Sequence, residues 1–258
     1  MTDFPLSFQH MSFVDGMRAS MMRAPQKLAA KHGDDTRTYA QLLDRIDRVT
    51  TAIIADLGLG PGDHGAILSA NSIPYLEIIA GASQAGVALA TVNPRLAPAE
   101  VVAICDNAEA KVLFADARSA EAVKDSQFAT VKRIIIVGDE LDTWLNEARG
   151  SVVFPQVQEW DNFTIPYTSG TTGLPKGVLV PHRSRILTLL GMAQEYGCYS
   201  PDDRFLAMAP MCHGAGMLFA LAPVFFGGYA EILDKFDPEL FLRKLKDERI
   251  SGYFAVPT

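Results

Sequence analysis

The sequence lacks paired cysteines, a signal peptide and any apolar run long enough to cross a membrane. Its 258 residues include three scattered cysteines, Cys105, Cys198 and Cys212, none of which forms a CxxC pair. Three cysteines cannot all pair within one chain, so we expect a reducing, cytoplasmic location. The N-terminus has no charged and then apolar pattern, and we expect no membrane span.

Positive charge is also scarce. The chain has 23 Lys and Arg residues against 30 Asp and Glu residues, which gives a net charge of −7. Because proteins that bind the nucleic-acid backbone need a basic face, this balance argues against nucleic acid as a partner. A local basic pocket is still compatible with it. The 48% hydrophobic and 21% charged content is that of an ordinary globular protein of one large or two small domains.

Two segments before residue 65 carry apolar residues at helical spacing. They predict helices over residues 13–23 and 39–56, the second with Thr38 as its N-cap and Gln41 three residues further on. Short strands are predicted between them at residues 27–31 and 36–38.

From residue 65 onward, strand-like apolar runs alternate with helical segments. Alternation at this spacing predicts a parallel sheet with helices on its faces. The predicted strands are residues 66–68, 87–92, 111–115, 133–137, 164–167, 176–180, 204–209, 228–233 and 253–256. The predicted helices are residues 73–85, 98–106, 120–128, 141–148, 184–196, 214–225 and 238–248.

Residues 164–182, TIPYTSGTTGLPKGVLVPH, place a loop of hydroxyls and glycines between two of these strands. Free backbone N–H groups, several hydroxyls and one nearby cation are the components of a phosphate-binding loop. Glycine lets the backbone approach an anion without a Cβ in the way. A long polar hairpin turn is the alternative, since Gly, Ser and Thr are common in turns.

Two common loop motifs fail at this segment. A Walker loop needs Gly-Lys-Ser/Thr five residues after its first Gly, but Gly170 is followed there by Pro175, Lys176 and Gly177. A nucleophile elbow needs Gly-x-Ser-x-Gly, but Tyr167 and Thr171 occupy the two glycine positions. The loop therefore indicates neither a Walker NTPase nor a serine hydrolase.

Residues 167–178, YTSGTTGLPKGV, resemble nearly letter for letter the phosphate-binding motif of the adenylate-forming superfamily. This superfamily comprises acyl- and aryl-CoA synthetases, luciferases and peptide-synthetase adenylation domains. Residues 62–100 resemble its early conserved region, and residues 209–216, APMCHGAG, resemble its substrate-side motif centred on a histidine. The resemblance runs from about Leu28 to the last residue and is strongest to an acyl- or aryl-CoA ligase.

The resemblance implies an α/β fold of two stacked βα-type sheets with flanking helices, as in the large N-terminal domain of these enzymes. Subdomain one would span about residues 65–200, and an incomplete subdomain two about residues 25–64 plus 203–258. Members of the superfamily are much longer, and this sequence stops directly after a predicted strand. We therefore expect an N-terminal fragment without the rest of the large domain and without the small C-terminal domain.

The resemblance also implies a reaction. A carboxylate attacks the α-phosphorus of ATP, pyrophosphate leaves, and the acyl-adenylate passes its acyl group to CoA, with Mg²⁺ as a cofactor. Lys176 and His213 are the catalytic candidates, Lys176 beside the phosphates and His213 in the acyl and α-phosphate pocket. The residues expected to hold the β- and γ-phosphates are Thr168, Ser169, Gly170, Thr171, Thr172, Gly173 and Lys176. No metal ligand is assigned in this chain, because the motifs that carry the magnesium-binding glutamate and the catalytic lysine are missing.

Several alternatives stay open. The parent could load a carrier protein instead of CoA, or this chain could bind nucleotide without turnover, and we expect little or no adenylation from the chain alone. The acid is undetermined, and so is homodimer formation. Arg95 is either a contact for the CoA nucleotide or a surface arginine, and residues 182–185 are expected to be a solvated helix cap. Cys212 and His213 are not expected to form a dyad, since adjacent residues in an extended segment point to opposite sides.

Overall fold

The computed structural model describes residues 11–148, 152–168 and 175–256. Helices and strands alternate along most of this length. The helices are α1 Phe13–Arg23, α2 Tyr39–Ala55, α3 Ile73–Gln84, α4 Pro98–Asn107, α5 Ala117–Ala122, α6 Asp139–Glu147, α7 His182–Tyr196, α8 Gly214–Phe226 and α9 Pro238–Asp247. The strands are β1 Leu28–His32, β2 Asp35–Thr38, β3 His64–Leu68, β4 Ala88–Thr91, β5 Ala110–Asp116, β6 Arg133–Val137, β7 Asn162–Thr168, β8 Lys176–Gly177, β9 Val180–Pro181, β10 Arg204–Ala207, β11 Tyr229–Ile232 and β12 Gly252–Tyr253.

The strands form two sheets. The large sheet has the order β6-β5-β3-β4-β7-β8, with β9 also paired to β7. Its strands from β6 to β7 are parallel, whereas β8 and β9 pair antiparallel to β7. The small sheet has the order β12-β10-β11-β1-β2 and is parallel except for the β1–β2 hairpin. The predicted α/β class with two βα-type sheets is therefore confirmed, while the division into subdomains stays a prediction.

Side chains of the large sheet pack into two cores, one on each face of the sheet. In β3, Ile67 faces the core that the large and small sheets share, whereas Ala66 and Leu68 face a second core on the opposite side. Successive side chains of a strand point to opposite faces, so a fully apolar strand is buried on both. Helices α1, α2, α3 and α8 lie in the shared core, where α2 packs along α3 and α1 along α8.

The predicted cap of α2 is confirmed. The N–H of Gln41 donates to Thr38 Oγ1 at 3.3 Å, and the N–H of Thr38 donates to Gln41 Oε1 at 2.9 Å. These reciprocal bonds satisfy two of the backbone donors that a helix start leaves free. The Thr38 cap therefore fixes the point at which the β2 strand turns into α2.

Several predicted element bounds are wrong, including the strands predicted at residues 204–209 and 253–256, which are Arg204–Ala207 and Gly252–Tyr253, and the helix predicted at residues 141–148, which is Asp139–Glu147. The helix predicted at residues 120–128 is Ala117–Ala122, because Asp116 Oδ1 accepts from the N–H of Ser119 at 2.8 Å and starts the helix earlier. The single strand predicted at residues 176–180 is divided into β8 and β9. Helix α7 starts at His182, two residues before its predicted start at Ser184.

The three cysteines are free thiols, with Cys105 and Cys212 buried. Within the described parts of the chain, no helix has both the length and the apolar character needed to cross a bilayer.

Candidate active site

Strand ends of both sheets meet at one open cleft of about 610 Å³. The large sheet contributes residues 69–71 after β3, residues 93–95 after β4 and Asp116 at the end of β5. The small sheet contributes Pro210, Cys212 and His213 after β10 and Asp234 after β11. Ligands of α/β proteins bind outside the carboxyl ends of the strands, which makes this cleft the candidate site.

His213 lies in the cleft immediately before α8. It occupies the N-cap position with extended backbone angles, φ −98° and ψ 144°, and its imidazole makes no cap hydrogen bond. Its backbone N–H donates to the carbonyl of Pro210 at 3.0 Å, which turns the chain into the helix. The exposed imidazole is therefore available to a ligand in the cleft.

Cys212, the preceding residue, also lines the cleft but differs from His213 in its burial. It is buried, and burial raises the pKa of its thiol to about 11. A thiol with such a pKa is not a nucleophile near neutral pH. The raised pKa of the Cys212 thiol therefore argues against a Cys–His dyad with His213.

Asn71 holds the His213 segment in place, and sequence reasoning gave it no role. The Asn71 side chain is 5% exposed and bonds at both ends. Its Nδ2 donates to the carbonyls of Ala209 and Leu233, each at 3.0 Å, and its Oδ1 accepts from the N–H of Met211 at 2.7 Å. The loop after β3 in the large sheet is thereby tied to the loops after β10 and β11 in the small sheet.

A second bond ties the same segment to the large sheet. Thr91 Oγ1, at the end of β4, donates to the carbonyl of Cys212 at 2.9 Å. Residues 211 and 212 are thus fixed from two strands of the large sheet, directly before His213. The one signal in the sequence is the position of Asn71 shortly after β3, because Asn is a common hydrogen-bonding residue in loops.

Thr168 and Lys176 are brought together at the two ends of the glycine loop. Thr168 is the last residue of β7 and pairs with Lys176, the first residue of β8, and both are exposed. Strand β7 lies parallel to β4 with Thr91 opposite Pro166, so the end of β7 at Thr168 lies at the same edge of the sheet as Asn93, which lines the cleft. The predicted phosphate-binding positions Ser169, Gly170, Thr171, Thr172 and Gly173 lie outside the described residues.

Tyr167, next to the end of β7, pairs with Gly177 of β8. Its hydroxyl donates to Asn107 Oδ1 at 2.7 Å, and partial burial raises its pKa to about 12. A Cβ on Gly177 would come within 2.9 Å of the Tyr167 ring, so a glycine at position 177 lets β8 approach β7.

The predicted solvated cap at residues 182–185 is only partly correct. Arg183 is half-exposed and pairs with Glu159 at 2.9 Å. His182, in contrast, is 1% exposed, with its ring edge against Phe163, and burial lowers its pKa to about 4. Its Nδ1 accepts from the N–H of Phe13 at 3.4 Å, so this histidine joins α7 to the start of α1.

Arg185 also points inward. Its Nη2 lies 3.5 Å from Thr164 Oγ1, and its guanidinium lies beside Gly214. Arg95, in contrast, is exposed at the rim of the cleft, and its backbone N–H donates to Asn93 Oδ1 at 3.0 Å. Its proposed contact with a CoA nucleotide stays a prediction.

Gly214 and Gly216, which follow His213, differ in whether a side chain would fit at their positions. A Cβ on Gly216 would overlap the carbonyl oxygen of Pro210, so glycine is required by the turn before α8. A Cβ on Gly214 would meet only the Arg185 guanidinium, at ordinary contact distance. Glycine is therefore required by the backbone at position 216 but not at position 214.

No metal ligand set occurs in the described parts of the chain, where no group of three or more His, Cys, Asp or Glu side chains converges. The magnesium ion implied by the resemblance therefore has no assigned ligands among these residues.

Known proteins are similar to this chain over most of its length. Feruloyl-CoA synthase of Amycolatopsis sp. is 31% identical over 236 residues, which cover 91% of this chain and 46% of that protein. The L-proline–(L-prolyl-carrier protein) ligase of Pseudomonas fluorescens is 28% identical over 249 residues, covering 94% of this chain and 49% of that protein. The crystal structure of the N-terminal domain of FACL13 from Mycobacterium tuberculosis matches with a TM-score of 0.88 and 27% identity, covering 95% of this chain and 63% of that chain.

The chain spans about half the length of the curated relatives it matches. The profile of AMP-binding enzymes matches residues 17–258, which is nearly the whole sequence. This confirms the resemblance seen at residues 167–178 and 209–216. The chain belongs to the AMP-binding enzyme family.

Proposed function

We propose that this chain forms the phosphate- and acyl-binding part of an enzyme that activates a carboxylic acid with ATP and transfers the acyl group to CoA. One observation carries the proposal: the ends of the glycine loop, Thr168 and Lys176, lie at the same sheet edge as the cleft that contains His213. The similarity to feruloyl-CoA synthase supports an acid–thiol ligase as the whole protein.

In the first half-reaction, a carboxylate oxygen attacks the α-phosphorus of ATP, and pyrophosphate leaves. Such a reaction needs positioned reactants and neutralised charge more than a protein nucleophile. Thr168 and Lys176, with Ser169, Gly170, Thr171, Thr172 and Gly173 between them, would bind the β- and γ-phosphates. A hydrogen bond to a charged group contributes about 1.5–3 kcal/mol, so a few such bonds can hold pyrophosphate while it forms.

His213 would line the pocket shared by the acyl carboxylate and the α-phosphate. Its imidazole is exposed in the cleft and free of a helix-capping bond, so it can donate a hydrogen bond to either oxygen. In the second half-reaction the CoA thiol attacks the acyl carbonyl, and AMP leaves. Arg95 at the rim is the proposed contact for the CoA nucleotide.

Other parts of the assignment are proposed on the resemblance or, for the cytoplasmic location, on the three unpaired cysteines. These are Mg²⁺ as the cofactor, a cytoplasmic location, and subdomains at about residues 65–200 and at about residues 25–64 plus 203–258. We also expect little or no turnover from the chain alone, since it covers about half of its relatives.

A carrier protein is the second candidate for the acceptor of the acyl group. The similarity to the prolyl-carrier-protein ligase favours an enzyme that makes the same acyl-adenylate and transfers it to a carrier protein. Both acceptors present a thiol, so the described cleft is compatible with either.

The test is a panel of carboxylic acids assayed on the whole protein with ATP and magnesium, by release of pyrophosphate and AMP. We expect at least one acid to release both products, and CoA to convert the adenylate into an acyl thioester. Release of ADP and phosphate, or no acid-dependent release of pyrophosphate, would contradict the proposed function. Thioester formation on a phosphopantetheinyl carrier but not on CoA would favour the second acceptor.

A further inference from the structure

Two arginines line the part of the cleft that the large sheet forms, and neither has an acidic partner. Arg95 follows β4, and Arg118 is the second residue of α5, directly after β5. Both are exposed, and neither guanidinium forms an ion pair with a carboxylate in the described parts of the chain. The cleft therefore holds two cations that a bound molecule can reach.

The carboxylates that line the cleft already have partners within the protein. Asp116 Oδ2 accepts from the N–H of Ala70 at 2.8 Å, and its Oδ1 accepts from the N–H of Ser119 at 2.8 Å. Asp234 Oδ1 lies 2.6 Å from His32 Nε2. Among the arginines and carboxylates of this cleft, the two guanidiniums thus lack a partner in the described chain. A guanidinium in such a position favours an anionic ligand, and phosphate is one that it binds well.

The fold sets the distance between the two cations. The Asp116 bonds start α5 and join it to the loop after β3, which fixes the backbone at Arg118. In the sheet order β5-β3-β4, one strand separates the two strands that precede the arginines. Neighbouring strands lie about 4.8 Å apart, so the ends of β5 and β4 are about 10 Å apart. Arginine side chains that start from these two points can bind separate anionic groups of one molecule.

The proposed acyl site lies in the same cleft. His213 lines the cleft from the small sheet, after β10, and Cys212 lines it directly before His213. Burial raises the pKa of the Cys212 thiol, and the positive charge of Arg95 acts in the opposite direction, so this guanidinium lies near the His213 segment. A molecule with its phosphates on the arginines would therefore extend its other end toward His213.

We propose that Arg118 and Arg95 together bind the phosphate groups of CoA, and that this pair makes CoA the acceptor in preference to a carrier protein. The inference rests on the proposed function, because it assumes that the acyl group is activated near His213. CoA has a diphosphate and a 3′-phosphate on the two sides of one ribose, which gives each guanidinium its own anionic group. The phosphopantetheine of a carrier protein has a single phosphodiester and would leave one guanidinium without a partner.

The test compares CoA, dephospho-CoA and pantetheine as acceptors, by thioester formation on the whole protein with an acid that releases pyrophosphate. We expect kcat/KM to fall in that order, because dephospho-CoA lacks the 3′-phosphate and pantetheine lacks every phosphate. Arg118→Ala should lower kcat/KM for CoA by about 5- to 10-fold, mainly through KM, as expected for a charged contact at an exposed site. The ratio of kcat/KM for CoA to that for pantetheine should fall by a similar factor.

Further variants separate charge from structure. Arg118→Lys keeps the charge and should retain part of the CoA preference, whereas Arg118→Glu should lower it further than Arg118→Ala. The KM for CoA should rise with salt more steeply in wild type than in Arg118→Ala, because salt screens the contact that the variant lacks. Arg243→Ala is the matched control and should keep the wild-type ratio, since Arg243 is exposed on α9 and does not line the cleft.

Three results would overturn the inference. They are equal use of CoA and pantetheine by the wild type, an Arg118→Ala variant with the wild-type ratio and salt dependence, and thioester formation on a phosphopantetheinyl carrier but not on CoA. Pyrophosphate release is measured separately, before any acceptor is added. Its absence with every acid would contradict the proposed function itself, so the two failures are distinguishable.

Discussion

Asn71 and Met211 are 140 positions apart in the sequence and are joined by a 2.7 Å hydrogen bond from the Met211 N–H to Asn71 Oδ1. Together with the two bonds from Asn71 Nδ2, it connects the strand ends of the two sheets beside His213. The Asn71 amide is therefore, with Thr91, one of two side chains of the large sheet that hold the segment before His213.

Asn71→Asp should destabilise the protein and impair the site. The carboxylate would face the carbonyls of Ala209 and Leu233, which lose their donors while they stay buried. An unsatisfied buried group costs about 1–3 kcal/mol, so we expect a clearly lower unfolding temperature and a fall in kcat/KM for acid activation. Asn146→Asp is the control, because Asn146 is exposed and accepts from Arg48, as an aspartate also would. Equal unfolding temperatures for the two variants would contradict the role of Asn71.

Gly214→Ala and Gly216→Ala form a matched pair at the start of α8. A methyl group on Gly216 would overlap the carbonyl oxygen of Pro210, whereas one on Gly214 makes only ordinary contacts. Alanine in a helix is otherwise favoured over glycine by about 1 kcal/mol. We expect Gly214→Ala to unfold at the wild-type temperature or above, and Gly216→Ala to unfold well below it. The reverse order in a thermal melt would show that the turn before α8 is described incorrectly.

His182 should make the protein sensitive to acid. Burial lowers its folded-state pKa to about 4, below the value of about 6.5 expected when the chain unfolds. Between about pH 4 and pH 6.5, His182 is protonated in the unfolded chain and neutral in the folded chain. The stability supplied by neutral His182 is therefore fully present above about pH 6.5 and is lost as the pH falls toward 4.

His182→Asn removes the titration and keeps a side-chain acceptor for the N–H of Phe13. In unfolding experiments across this pH range, we expect the wild type to lose stability more steeply than the variant. His32→Asn, which keeps His182, should retain the steep wild-type loss. Parallel curves for wild type and His182→Asn would contradict the prediction.

Lys176→Ala and His213→Ala should each lower the rate of adenylation by about 10- to 100-fold in the whole protein, as expected for the loss of one charge-assisted hydrogen bond. Both side chains are exposed, so the unfolding temperature should change little. The exposed residue Lys132 provides the control Lys132→Ala, which should keep the wild-type rate. The residue assignments would be wrong, whatever the family, if neither variant slowed pyrophosphate release.

The sequence predicted the fold class and part of the site, and the reasons differ for each. Strand alternation and helical spacing are local patterns, and the α1 helix and the Thr38 cap appear where those patterns placed them. Thr168, Lys176 and His213 were predicted as site residues from contiguous motifs, and their roles stay predictions.

Asn71, His182 and Arg185 could not be assigned in this way, because their roles depend on neighbours distant in sequence. Arg185 and His182 sit in a short run of polar residues that is typical of a solvated helix start. Of the four side chains at residues 182–185, those of His182 and Arg185 point inward because α7 packs against α1, β7 and α8.

The missing cap at His213 has a consequence for engineering. Ser, Thr or Asp at that position would accept a hydrogen bond from the first turn of α8 and stabilise the helix by about 1 kcal/mol. A selection for heat resistance alone would therefore favour His213→Ser or His213→Asp, and each would delete the imidazole from the cleft. Thermostable variants of this protein should be chosen with position 213 held constant, because the residue best suited to the helix cannot fill the role proposed for His213.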